Sequence, residues 1–102
     1  IAKHRLDAIV CPTGGPAWVT DWVNGDHFGK SGDSSSPAAV AGYPHVTVPA
    51  GAVAGLHVGL SFMGPASSDA RMLQYAFVFE QATKARRAQT FLPAVGAAHP
   101  AA

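Results

Sequence analysis

The sequence predicts an α/β fold in which short strands of a mixed β-sheet are flanked by helices. Short apolar runs bounded by glycine and proline alternate with segments of helical periodicity. No Asp, Glu, Lys or Arg occurs between Ser34 and Ser68, yet glycine and proline interrupt this stretch too often for a membrane helix. Strands buried on both faces read as apolar runs of this kind, so we expect helices on both sides of the sheet.

The first third of the chain is predicted to hold one strand and one long loop. Residues Ile1–Leu6 read as the end of a helix, and Ala8–Cys11 as a short buried strand. The loop from Pro12 to Ser36 is rich in glycine, and loops of this length in compact domains are usually functional or disordered. This loop carries three large aromatic side chains, those of Trp18, Trp22 and Phe28. We therefore expect the loop to be ordered against other protein.

A short helix and two further strands are predicted next. Ser36 and Pro37 supply an N-cap and a first-turn proline for a helix that ends at Ala41, before a glycine suited to positive φ. Val46–Val48 is predicted as a strand stopped by Pro49. A Gly/Ala turn region over Ala50–Leu56 then leads into a third strand, His57–Met63.

One long helix is predicted over Asp69–Arg87, capped by Ser67 or Ser68. Spacing of three and four residues places one set of side chains on a shared face: Leu73, Ala76, Phe77 and Glu80. For Glu80 we favour a buried acid that caps a neighbouring loop over a general acid. Residues 1–93 are predicted to form one segment of a domain, and residues 94–102 a flexible Ala-rich tail.

Composition excludes several classes of partner. A net charge of +1 gives no strong field for nucleic acid or an anionic membrane, so neither is expected as a partner. The 13% of charged residues falls below the roughly 25% of ordinary domains, which predicts a segment of a larger protein. Cys11 is the single cysteine, so no internal disulfide is possible, and we expect this thiol to be buried and unreactive. Nothing resembles a signal peptide, and a cytoplasmic location is expected.

Two motifs resemble chemical sites, a serine nucleophile and a metal site, but their residues fit those sites poorly. Residues 32–37 (GDSSSP) resemble the nucleophile run of trypsin-like proteases, but serines replace the glycines beside the nucleophile that the oxyanion hole requires. A Ser-rich turn explains the run, and a small protein with a serine site remains an alternative. Asp21, Asp26, His27 and Asp33 share one loop, but their spacing matches no known metal-binding loop. We expect no metal, and no nucleotide-binding glycine motif indicates a cofactor.

Four blocks of the sequence resemble amidase-signature enzymes. Asp7–Thr13 (DAIVCPT) is similar to a strand and turn of that family, and Ala41–Gly51 (AGYPHVTVPAG) to its aGyPaitvPaG block. Leu56–Gly64 (LHVGLSFMG) follows its GLPvGlqfiG block, with His57 where the family often has proline. Leu73, Ala76, Glu80 and Gln81 fit its last helix. The blocks occur in the family's order and cover about Asp7 to Ala85.

The resemblance implies the C-terminal part of an amidase, a hydrolase of amide C–N bonds. The family's Ser-cis-Ser-Lys triad lies upstream of these blocks, so no catalytic residue is expected here and the isolated chain should be inactive. Thr13, Trp18 and Trp22 are expected to line the pocket for a small amide substrate, although simple packing explains the tryptophans equally well. The implied partner is the remainder of the amidase chain or a second copy. Alternatives are a non-catalytic binding or regulatory fragment and a segment of an amidotransferase subunit.

Overall fold

The structure, a computed structural model, describes residues 1–25, 34–91 and 93. In chain order it contains a 3-10 turn at Ala2–His4, strand β1 at Ile9–Pro12, helix α1 at Ser35–Ala41, strands β2 at His45–Val53 and β3 at Leu56–Met63, and helix α2 at Asp69–Thr83. Strands flanked by helices confirm the predicted α/β class. The predicted helix end at Ile1–Leu6 takes the form of a single 3-10 turn, which stops where Arg5 takes a φ of 53°. The predicted tail and Phe28 lie outside the described residues.

The described strands form a three-stranded sheet with β3 in the centre, β1 on one side and β2 on the other. Both pairings are antiparallel. Ser61 on β3 lies opposite Cys11 of β1 and Thr47 of β2. Because side chains directly opposite each other point to the same face of a sheet, these three form one row on that face. The adjacent row, which contains Phe62, points to the other face.

Strand β2 is longer than the sequence predicts. It continues through Pro49 and Ala50 to Val53, so the predicted turn region over Ala50–Leu56 is wrong. The register shifts between Pro49 and Gly51, and Gly51 has a φ of 135°, which marks a β-bulge. Proline is tolerated here because β2 is an edge strand of the described sheet. The turn is reduced to Ala54 and Gly55, both with positive φ, as in the tight hairpins that suit twisted strands.

Helix α2 lies across β2 and β3 and forms the main core with them. Met72 is fully buried, and Ala76 is nearly so, against Val48 and Phe62. The rings of Phe62 and Phe79 meet edge to face with their centroids 6.0 Å apart. An edge-to-face pair adds about 0.5–1.5 kcal/mol beyond the burial of the rings. The core therefore joins the centre of the sheet to one face of α2.

The face of α2 that packs on the sheet differs from the predicted face. Ala76 is buried as predicted, but Leu73 and Phe77 are each 60% exposed, and Glu80 is half-buried. The physical reason is that positions 72 and 73 are both apolar, so the sequence fits two helix faces that differ by one residue. Packing on the sheet selects the face of Met72. The helix also ends at Thr83 rather than at Arg87, because Lys84 takes a φ of 45°.

The second face of the sheet carries the shorter helix. α1 begins at Ser35 with Ser34 at its N-cap, two residues earlier than predicted. It ends at Ala41, as predicted, and Gly42 follows as the C-cap with a φ of 70°. It packs on β2 and buries Ala38. Strand β1 is less covered, so Cys11 is only half-buried and Val10 is 51% exposed. The predictions of a buried Cys11 and of two-sided burial for β1 are therefore wrong within this chain.

Candidate functional site

Thr13 directly follows β1 and is fixed through all of its polar groups. Its backbone N–H donates to the carbonyl of Gly59, at 2.9 Å. Its own carbonyl accepts from both the backbone N–H and the hydroxyl of Ser34, each at 3.2 Å. These bonds connect the end of β1 to the centre of the sheet and to the start of α1. The predicted site residue Thr13 therefore has a well-defined position at the beginning of the long loop.

Three hydroxyl groups, those of Thr13, Thr47 and Ser61, meet on the α1 face of the sheet and are called here the hydroxyl cluster. The Thr13 and Ser61 hydroxyls are 2.7 Å apart, and those of Thr47 and Ser61 are 3.2 Å apart. Thr13 also donates to Thr47 over 3.4 Å. Ser61 is fully buried, Thr13 is half-buried, and Thr47 is exposed. A buried serine thus supports two hydroxyls that approach the surface.

Gly59 makes room for this cluster. A Cβ atom at Gly59 would lie 2.7 Å from the Thr47 Cγ2 atom and 2.9 Å from the Thr13 Oγ1 atom. Both distances are shorter than real Cβ contacts, so any larger residue would displace one of the threonines. The absence of a side chain on β3 therefore allows Thr13 to lie over the sheet and to reach Ser61.

Thr47 and Ser61 are site residues that the sequence did not single out. Each lies inside an apolar strand, where a small hydroxyl residue is unremarkable by itself. Their juxtaposition depends on the register of β2 against β3 and of β1 against β3. A two-residue turn at Ala54 and Gly55 would by itself place Val48 opposite Ser61. The bulge between Pro49 and Gly51 brings Thr47 there instead, and no local signal in the sequence predicts this bulge or the register of β1.

Trp18, another predicted substrate-binding residue, lines a separate open cleft. The cleft has a volume of about 640 Å³, and its walls come from the loop after β1, the β2–β3 turn and the segment after α2. Trp18 is 45% exposed there and faces apolar neighbours that include Leu56 and Phe91. Thr13 and Trp22 do not line this cleft, and Trp22 is 93% exposed. The described residues thus do not unite the three predicted positions in one pocket.

Asp21 organises the turn that contains Trp22. Its carboxylate accepts hydrogen bonds from the backbone N–H groups of Val23 and Asn24, and from the Asn24 side-chain amide. These bonds, of which the backbone bond from Asn24 has the largest effect, lower the pKa of Asp21. No cluster of three metal-ligating side chains occurs among the described residues, and Asp26, His27 and Asp33 lie outside them. Asp21 therefore acts in a turn.

Comparison with known proteins shows the same likeness along nearly the whole chain. One subunit of the glutamyl-tRNA(Gln) amidotransferase of Symbiobacterium thermophilum is 35% identical over 93% of this chain, and a probable amidase of Arabidopsis thaliana is 43% identical over 90%. The crystal structure of the peptide amidase PAM with the competitive inhibitor chymostatin is 51% identical over 88% of the chain, with a TM-score of 0.79. The chain belongs to the amidase-signature family.

The chain spans about a fifth or less of these amidase-signature relatives. It covers 20% of the amidotransferase subunit, 15% of the plant amidase and 18% of the peptide amidase. No family model matches the sequence. The similarity therefore establishes the family and the fold of this segment.

The serine-site alternative gains no support from the geometry. Ser34 donates its hydroxyl to the Thr13 carbonyl, so its described bond holds a backbone turn and involves no general base. Gly32 and Asp33 of the protease-like run lie outside the described residues. Kinship with the amidase-signature family, together with this bond, favours the structural interpretation of the serine run. Among the described residues, no helix is long and apolar enough to cross a membrane.

Proposed function

We propose that this chain is part of an amidase, a hydrolase that cleaves the C–N bond of amides. The observation that supports this most is the 51% identity with a peptide amidase over 88% of the chain, at a TM-score of 0.79. The family's Ser-cis-Ser-Lys triad would come from polypeptide outside these 102 residues, because the blocks from Asp7 to Ala85 contain no counterpart of it. In this proposal the segment supplies part of the sheet and part of the substrate cleft.

Three residues are proposed to contact the substrate. Thr13 is supported by its fixed position at the end of β1, with a hydroxyl that is only half-buried. Trp18 is supported by its place in the wall of an open cleft. Trp22 is supported by its 93% exposure, because packing within the described part of the chain does not account for so exposed an indole. Aromatic walls of this kind suit an apolar group of the substrate.

The amidotransferase alternative rests on a specific observation, the 35% identity with one subunit of such an enzyme over 93% of the chain. A non-catalytic binding fragment is a further alternative, because the chain spans so little of its relatives. As partners we propose the remainder of the amidase polypeptide or a second copy. We also propose a cytoplasmic location, with which a single cysteine and no internal disulfide are compatible.

Ammonia release from a blocked amino-acid amide, such as acetyl-phenylalanine amide, tests the proposal in the complete polypeptide that carries this chain. We expect hydrolysis without any acceptor. Trp18→Ala should raise KM about fivefold, which corresponds to the loss of about 1 kcal/mol of contact with the apolar group. Thr83→Val provides the control, since Thr83 is exposed at the end of α2 and does not line the Trp18 cleft.

Two results would contradict the proposal in different ways. A folded polypeptide that releases no ammonia from any amide would support the non-catalytic alternative. Ammonia transfer that requires a charged tRNA acceptor would support the amidotransferase alternative. An unchanged KM in the Trp18→Ala variant of an active amidase would show that Trp18 does not contact the substrate. The proposed amide hydrolysis would still stand.

A further inference from the structure

The hydroxyl cluster has a defined direction of hydrogen-bond donation. Each hydroxyl carries one proton and can accept at two lone pairs. Thr13 is the donor to Thr47, so it has no proton for Ser61, and Ser61 must be the donor in the 2.7 Å bond. With its proton used, Ser61 accepts from Thr47 over 3.2 Å. The three contacts close into a ring in which every hydroxyl donates once and accepts once.

The bonds of this ring are unequal. The bond from Ser61 to Thr13 has the usual O–H···O length, whereas the contact from Thr13 to Thr47 is 3.4 Å, beyond the usual range of about 2.5–3.0 Å. Ser61 is fully buried and has no access to water, while Thr47 is exposed and can bond to water instead. The hydrogen bond that Thr13 donates is therefore the weakest of the three. A better acceptor can replace Thr47 in this bond without leaving a buried group unsatisfied.

The surroundings hold Thr13 ready for such an acceptor. Its backbone is bonded to Gly59 on one side and to Ser34 on the other. The missing side chain of Gly59 leaves a space that the Thr13 side chain occupies. A donor fixed in this way loses little conformational entropy when it binds a ligand.

We propose that Thr13 donates a hydrogen bond to a carbonyl oxygen of the amide substrate, and that Ser61 is the positioning residue that orients the Thr13 hydroxyl. The ligand atom is proposed to be an acceptor because a carbonyl oxygen would replace Thr47, which accepts the Thr13 proton only over 3.4 Å. This inference rests on the proposed amidase function and adds two features to it: the substrate atom that Thr13 contacts and a role for a buried serine.

Variants of the complete polypeptide, assayed with acetyl-phenylalanine amide, test the proposal. Thr13→Val removes the hydroxyl at nearly constant shape and should lower kcat/KM about five- to tenfold, as expected for one neutral hydrogen bond. Thr13→Ser restores the hydroxyl and should stay within about twofold of the wild type. Ser61→Ala should lower kcat/KM about two- to fivefold. The Thr13→Val/Ser61→Ala double variant should be no worse than Thr13→Val, because Ser61 acts through the hydroxyl of Thr13.

The control is Thr83→Val, which removes an exposed hydroxyl at the end of α2 that bonds to the Phe79 carbonyl. It should leave kcat/KM unchanged. Thermal unfolding of each variant accompanies the assays. If Ser61→Ala does not fold, Ser61→Cys replaces it, because cysteine is of similar size and a weaker donor, and it should show the same loss and the same lack of additivity.

The outcomes separate this inference from the proposed function. A Thr13→Val polypeptide that hydrolyses the amide as fast as the wild type would overturn the inference and leave the amidase function standing. An additional loss of kcat/KM in the double variant would show that Ser61 acts on the fold and would overturn its positioning role. A folded wild-type polypeptide without amide hydrolysis would refute the proposed function itself.

Discussion

Gly59 shows how a single residue determines the geometry of the candidate site. Because β3 has no side chain at this position, the Thr13 side chain can lie over the sheet and approach Ser61 to 2.7 Å. The Thr47 methyl group occupies the other side of the same space. Two threonines from different parts of the sheet are thus adjusted to one missing Cβ atom, a constraint that the sequence of each strand taken alone does not reveal.

Gly59→Ala should destabilise the chain by about 1–3 kcal/mol, because overfilling a well-packed site forces backbone or side-chain shifts. The new Cβ atom would lie 2.7 Å from the Thr47 Cγ2 atom and 2.9 Å from the Thr13 Oγ1 atom. Thermal unfolding at one fixed protein concentration measures the change. Thr47→Ser removes the nearer atom, so the Gly59→Ala/Thr47→Ser double variant should recover part of the loss. A fully stable Gly59→Ala chain would contradict the close packing described here.

Helix α2 is held in position by one buried row of side chains. Met72 and Ala76 face the sheet, and Phe79 extends the same contact to Phe62. Gly64 allows the tight passage from β3 into the helix, because a Cβ atom there would collide with Ser68 and would lie 2.8 Å from the Met72 sulfur. The helix and the strand before it are therefore packed as one unit.

Met72→Ala should lower the free energy of unfolding by about 2–5 kcal/mol, because it leaves a cavity in the only large fully buried apolar site among the described residues. Leu73→Ala is the matched control. It removes a similar volume from a side chain that is 60% exposed and should cost less than about 1 kcal/mol. Chemical denaturation of both variants checks the prediction. Equal losses, or a larger loss for Leu73, would indicate that the helix packs on the face predicted from the sequence.

Comparison of these elements with the sequence shows where local signals suffice. Gly42 and the serines before Asp69 correctly marked helix ends, because such ends depend on neighbouring residues alone. Ser68 occupies the N-cap position, but its hydroxyl donates to the Pro65 carbonyl and makes no cap bond to α2. The predicted strand end at Pro49 was wrong, because a proline is tolerated within a strand at the edge of a sheet. The choice between Met72 and Leu73, and the meeting of Thr47 with Ser61, depended on packing and register. Those features arise from residues distant in sequence.

The whole molecule leaves much apolar surface uncovered. Among the described residues, four large apolar side chains are at least 90% exposed: Trp22, Val23, Val40 and Phe91. The outer edges of β1 and β2 have no strand partner within the described sheet. Unpaired edges and exposed apolar side chains both favour association with another polypeptide. In the proposed amidase, the remainder of the enzyme would cover these surfaces, except for Trp22, which is proposed to contact the substrate.

The isolated 102-residue chain should therefore self-associate at micromolar concentration. Sedimentation equilibrium over a roughly tenfold range of concentration measures this, and the apparent mass should rise with concentration above that of one chain. Val40→Ser, on an exposed position of α1, and Val23→Ser, in the loop after β1, should each weaken the association. A monomer at every concentration, with one cooperative unfolding transition, would show that these residues form a complete domain.

We propose that this chain contributes to an amide hydrolase whose catalytic residues lie outside it. Hydrolysis of a chromogenic anilide by the isolated chain, measured beside the complete polypeptide, tests where those residues lie. We predict no turnover above background by the chain alone and measurable turnover by the complete polypeptide. Turnover by the isolated chain that disappears in the Ser34→Ala variant would contradict this proposal, because the nucleophile would then lie in the serine run of this chain.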